Sequence, residues 1–90
     1  MATIILPTSM QPLCGHLEKI TIPQTMPLAQ LLKTIIIQYP MLKTFFFDIH
    51  GNMSRFLNIY VNSQDSRDLP ADQPIYERDE VCIVTSLSGG

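Results

Sequence analysis

Ser88, Gly89 and Gly90 close the sequence directly behind an alternating apolar segment, and their free carboxylate is the group with the plainest chemistry in the chain. Glycine carries no Cβ, so a paired-glycine end is expected to be extended and mobile and to enter a passage too narrow for any side chain. A carboxylate becomes an acyl donor only once a better leaving group is attached to it. An ATP-dependent enzyme would supply one by forming an acyl-adenylate at Gly90, and a nucleophile would then displace AMP. A frayed end without function is the plain alternative. The strand runs into the diglycine with no linker between them, which favours the chemical reading.

No second constellation competes with that end. His16 and His50 stand alone on expected loops, no serine sits in a nucleophile elbow, and no glycine-rich phosphate loop precedes a helix. Cys14 and Cys82 make no metal-ligand spacing with the histidines, and reduced thiols are expected. Cys82 reads as a small hydrophobe on a strand, not as a sulfur relay. The chain therefore reads as a substrate of other enzymes, not an enzyme, with no bound cofactor or metal.

Composition bounds the rest. The sequence has 90 residues, 46% of them hydrophobic, which suits one small core and one domain. A net charge of -2 argues against nucleic acid as the main partner, because phosphate binding needs a basic patch. Asp65, Asp68, Asp72, Glu77, Asp79 and Glu80 make the C-terminal part acidic, either as a solvated rim or as a means of steering that end towards a basic partner. The Ile4-Ile5-Leu6 run stops at Pro7 without a basic flank or a cleavage site, so it reads as a strand. No apolar run is long enough to span a membrane, and a cytoplasmic protein is expected.

The elements that position the end follow from periodicity. Thr3 to Leu6 and Glu18 to Ile22 read as two strands of a hairpin. Leu28, Leu31, Leu32, Ile35, Ile36 and Tyr39 recur at helical spacing, with Thr25 as the expected cap, Pro27 in the first turn and Pro40 as the stop. Such a stripe needs a sheet to cover it. In Phe56 to Asn62, Leu57, Ile59 and Val61 alternate towards the core, and in Glu80 to Thr85, Val81 and Ile83 do the same. Between these strands, Pro70 and Pro74 leave room for a short edge strand at most. Of Phe45, Phe46 and Phe47, one or two are expected to close the core. The result is an α+β fold with a mixed sheet of about four to five strands on one main helix.

If the two late strands are neighbours, Phe56, Tyr60, Cys82 and Val84 share the surface away from the helix. An apolar patch there, beside the tail, is a candidate partner-docking surface.

Taken together, the order of elements, the Arg55 to Asn62 segment RFLNIYVN, the Asp72 to Val81 segment DQPIYERDEV and the LSGG end resemble the ubiquitin-like sulfur carriers of the MoaD and ThiS group. Within that group, Ile5-Leu6-Pro7-Thr8 and the Asp65-x-Arg67 spacing look most like the carrier that feeds a cysteine synthase. The resemblance implies a β-grasp domain over residues 1–85 and a flexible tail over residues 86–90. It also implies an E1-like adenylyltransferase that uses ATP and magnesium to activate Gly90, after which a sulfur donor makes a thiocarboxylate. Gly89 would let the tail enter the activating site, and Leu87 matches an apolar anchor. The acceptor would be a cysteine synthase, the large subunit of molybdopterin synthase or a thiazole synthase. A ubiquitin-type modifier, conjugated through Gly90 to lysines, and an interaction domain with an incidental diglycine are the alternatives. Two positions depart from the family pattern: Arg78 stands where glycine is usual in a GDEV turn, and Ser88 where many members have alanine.

Overall fold

Alternating residues settle the sheet. In the computed structural model, which describes residues 1–85, β1 (Ala2–Ile5) and β2 (Lys19–Ile22) pair antiparallel, with Ile4 opposite Ile20 and both buried. The connection between them is not a tight turn. It carries a 3-10 turn, Gln11–Cys14, and tucks Met10 and Cys14 into the core. The chain then forms β3 (Met26–Pro27) and enters α1 (Leu28–Gln38). A 3-10 turn over Pro40–Leu42 leads into the single-turn α2 (Lys43–Phe46). After a loop come β4 (Leu57–Val61), β5 (Gln64–Asp65), β6 (Pro74–Ile75) and β7 (Glu80–Thr85).

Five of these strands form one mixed sheet in the order β2-β1-β7-β4-β5. The last strand lies in its middle, parallel to β1 and antiparallel to β4. Leu57, Ile59 and Val61 of β4 and Val81 and Ile83 of β7 are buried, as their alternation predicts. They form a single core with Leu31, Leu32 and Ile35 of α1. This is the β-grasp architecture. Phe46 is wholly buried while Phe45 and Phe47 pack at the core margin; burying a side chain of that size contributes roughly 1.5–3 kcal/mol. No helix among the described residues is long and apolar enough to cross a membrane.

Three expectations need correction. Thr25 is not the helix cap: Pro27, extended at φ -62° and ψ 155°, is the N-cap and makes no side-chain cap bond. The reason is that Met26 and Pro27 are already paired with Ile75 and Pro74, so the chain stays extended up to Leu28. That pairing is a second, two-stranded sheet, and with β5 it makes two short strands where one at most was expected. Phe56, finally, belongs to the turn before β4 and not to the strand.

Candidate functional site

The register of β4 against β7 builds the outer face of the sheet. Tyr60 lies opposite Cys82 and Asn58 opposite Val84. Because side chains alternate, these four share the face turned away from the core. Val84 is 42% exposed, whereas Tyr60 and Cys82 are half-buried. Tyr60, Ser63, Glu80 and Cys82 line a shallow hollow of about 330 Å³ on this surface. Three members of the expected docking patch therefore come together. Phe56, 51% exposed, lies off the strand and lines a different hollow with Phe47 and Ile49.

A polar brace borders the patch. Asp65 of β5 lies opposite Tyr60. Arg67 donates from Nε and Nη2 to the two carboxylate oxygens of Asp65, at 3.1 and 2.9 Å, and from Nη2 to Asn58 Oδ1 at 2.9 Å. This two-pronged pair is charge-assisted and directional. The side-chain and backbone N–H groups of Arg67 hold the Asp65 carboxyl below its usual range, and the same pair raises Arg67. The Asp65-x-Arg67 spacing was legible in the sequence, but the third partner, Asn58, comes from across the hairpin.

The base of β7 is fixed by a second polar cluster. Asn62 and Ser63 occupy the left-handed region, at φ 50° and 71°, as the two central residues of the tight turn between β4 and β5. Asn62 Nδ2 donates to Asp79 Oδ1, and Tyr76 N donates to Asp79 Oδ2 at 2.7 Å. Asp79 N donates to Tyr76 O, closing the turn that precedes β7. Arg78 sits in that turn outside the left-handed region, so no glycine is required, and its guanidinium lies 5.4 Å from the centre of the Tyr76 ring.

Thr85, opposite Leu57, is the last described residue of β7. The expected tail residues Leu87, Ser88, Gly89 and Gly90 lie outside the described residues. Among the described residues no cluster of His, Cys, Asp and Glu could hold a metal ion. His16 and His50 are both exposed, and Cys14 is buried, its thiol pushed up by desolvation. The described outer face thus carries a partly exposed apolar patch at the strand that leads to the tail.

Comparison with known proteins agrees with this fold. A chain of the Amycolatopsis orientalis BexX/CysO complex superposes with a TM-score of 0.83 at 19% identity, covering 100% of both chains. Mycobacterium tuberculosis CysO, described as an antigen, gives 0.82 at 25% identity over 96% of this chain and 99% of its own. SAMP1 from Haloferax volcanii gives 0.78 at 15% identity over 99% and 98%. The likenesses at 19% and 15% show the fold alone. A comparison with curated proteins finds no match. The model of the ThiS family matches residues 4–90, nearly the whole sequence and through the diglycine, so the chain belongs to the ThiS family.

Proposed function

We propose that this chain is a sulfur carrier whose reactive group is the carboxylate of Gly90. An E1-like enzyme, using ATP and magnesium, joins a carboxylate oxygen to the α-phosphorus of ATP and releases pyrophosphate. A sulfur donor then attacks the acyl carbon, AMP leaves, and Gly90 carries a thiocarboxylate. That sulfur is already anionic at neutral pH and attacks an electrophilic acceptor without release of free sulfide. The carrier contributes no catalytic side chain and binds no cofactor of its own. Its part is to present the tail from β7 and to dock through Tyr60, Cys82 and Val84 beside it.

The observation that carries the reading is the family match, which continues past the end of β7 through Gly89 and Gly90. The resemblance of Ile5-Leu6-Pro7-Thr8 and of the Asp65-x-Arg67 spacing to the carrier that feeds a cysteine synthase favours that acceptor over molybdopterin synthase or thiazole synthase. A cytoplasmic location fits partners that consume ATP. Incubation with the activating enzyme, ATP, magnesium and sulfide is expected to replace one oxygen of the C-terminal peptide by sulfur, read by intact-mass spectrometry. Removal of Gly89 and Gly90 should abolish the change. If the chain is adenylated yet yields only amides to lysine, it acts as a protein modifier instead, the role named in the description of a structural neighbour, small archaeal modifier protein 1.

A further inference from the structure

A second concave surface lies where β4 begins. One hollow of about 690 Å³ includes Lys43, Phe47, Ile49 and Phe56 in its lining. A neighbouring one of about 370 Å³ shares Lys43, Phe47 and Ile49 and adds Lys33 from α1. Ile49, common to both hollows, is 95% exposed and stands beside the apolar Phe47 in each. Lys33 and Lys43 form no ion pair among the described residues. Asp48 lines both hollows as well, but its Oδ1 is committed to the backbone N–H groups of His50 and Asn52, at 2.9 and 3.0 Å. The two ammonium groups therefore outnumber the one carboxylate at an apolar floor.

The position of this surface matters as much as its chemistry. Phe56 immediately precedes Leu57, and Leu57 is the partner of Thr85. The larger hollow thus opens at the end of the sheet from which the chain continues towards Gly90, on different elements from the outer-face patch.

We infer that this double hollow is a second docking site on the carrier, which receives an acidic, apolar segment of the enzyme that activates the tail. The inference rests on the proposed function for the identity of the enzyme. Charge complementarity supplies the rest: carboxylates on the partner would meet Lys33 and Lys43, and an apolar side chain would cover Phe47 and Ile49. Engagement of both surfaces would hold the partner on two sides of the point where β7 ends and aim the tail into its site.

The test combines binding with ATP–pyrophosphate exchange, using the full chain, its activating enzyme, the double variant Lys33→Glu/Lys43→Glu and, separately, Ile49→Ser. All three side chains are exposed, so native melting is expected and is checked for each variant. The charge-reversed variant should bind about tenfold or more weakly at low salt, with the deficit appearing in KM and shrinking as salt is added. Ile49→Ser should bind more weakly with little salt dependence. Unchanged affinity in both variants would overturn the inference while leaving the sulfur-carrier reading intact. Binding that depends on Lys33 and Lys43 without any exchange would sustain the hollow and refute the carrier reading. Absence of binding by the unaltered chain, or variants that change only self-association, would overturn the inference.

Discussion

Asn62 and Asp79, separated by 17 positions in the chain, are joined by a hydrogen bond of 2.9 Å from Nδ2 to Oδ1. The same asparagine accepts from Glu80 N through Oδ1 and donates its own N–H to Glu80 O. Asp79 in turn offers its carbonyl to Thr3 N at 3.1 Å. One contact thus ties the β4–β5 turn, the start of β7 and the start of β1.

Asp79→Ala should therefore destabilise the protein strongly for a loop substitution. It removes the charged acceptor of the Tyr76 N–H and the Asn62 amide, both part-buried bonds, at roughly 1.5–3 kcal/mol for hydrogen bonds to a charged group. Urea denaturation should show a lower midpoint with an unchanged slope. A loss below about 0.5 kcal/mol would mean that water replaces the carboxylate.

Ser63 holds φ 71° without being glycine. A non-glycine residue there costs on the order of 1–2 kcal/mol, part of which glycine returns as unfolded-state entropy. Ser63→Gly is accordingly expected to raise Tm by a few degrees, about 4 °C per kcal/mol for a domain of this size. Ser63→Val, branched at Cβ, should lower it. Equal shifts in the same direction would show that the turn relaxes away from its left-handed geometry.

The Asp65–Arg67 pair makes a pH-dependent contribution of known sign. Its carboxyl titrates lower in the folded chain than in the unfolded one, where it titrates near 3.9. The stabilisation is therefore present above the unfolded value and is lost as pH falls through the folded one. Arg67 stays charged throughout. The melting difference between the protein and Asp65→Asn should be largest above about pH 5 and vanish in acid, and salt should shrink it because the pair is exposed. No difference at any pH would show that the hydrogen bond from Arg67 N to Asp65 Oδ1, which an amide oxygen can also accept, carries the contribution of the pair.

The two free thiols should differ in reactivity. Cys14 is buried and its thiolate disfavoured, whereas Cys82 is partly open on the outer face. Under native conditions a thiol reagent should label Cys82 and leave Cys14 until the protein is unfolded. Equal labelling would require the Gln11–Cys14 turn to open on the timescale of the reaction.

Val84→Asp and Tyr60→Asp place a carboxylate on the outer face. Both should weaken binding to the activating enzyme about tenfold or more, near 1.4 kcal/mol, since an interfacial charge loses its water without gaining a partner. Val84 is the sharper test because it is the more exposed, so its variant should keep its native melting. Unaltered affinity in that variant would move docking off this face.

Much of this architecture was legible because each long element has one buried face. Leu57, Ile59 and Val61 alternate because β4 covers the core on one side only, and Leu31, Leu32 and Ile35 recur at helical spacing for the same reason. Met26–Pro27 and Pro74–Ile75 gave no such signal, since two residues have no period and each pair contains proline. Displacement of the cap from Thr25 to Pro27 follows from that unseen pairing. The outer-face trio of Tyr60, Cys82 and Val84 was legible from alternation plus adjacency of two strands. Phe56 was misassigned because alternation continues one residue beyond the strand. The Asn58–Arg67 contact and the hollow around Ile49 depend on how loops fold across the sheet, which local pattern does not encode.

The central place of β7 also gives the chain a mechanical property. The strand is held on one side by β1, in register from Thr3 to Ile5, and on the other by β4, in register from Leu57 to Val61. A pull exerted beyond Thr85 acts along the strand axis, so the hydrogen bonds of both ladders are sheared together and not unzipped one at a time. Force along the axis of β7 therefore meets the whole of both ladders at once.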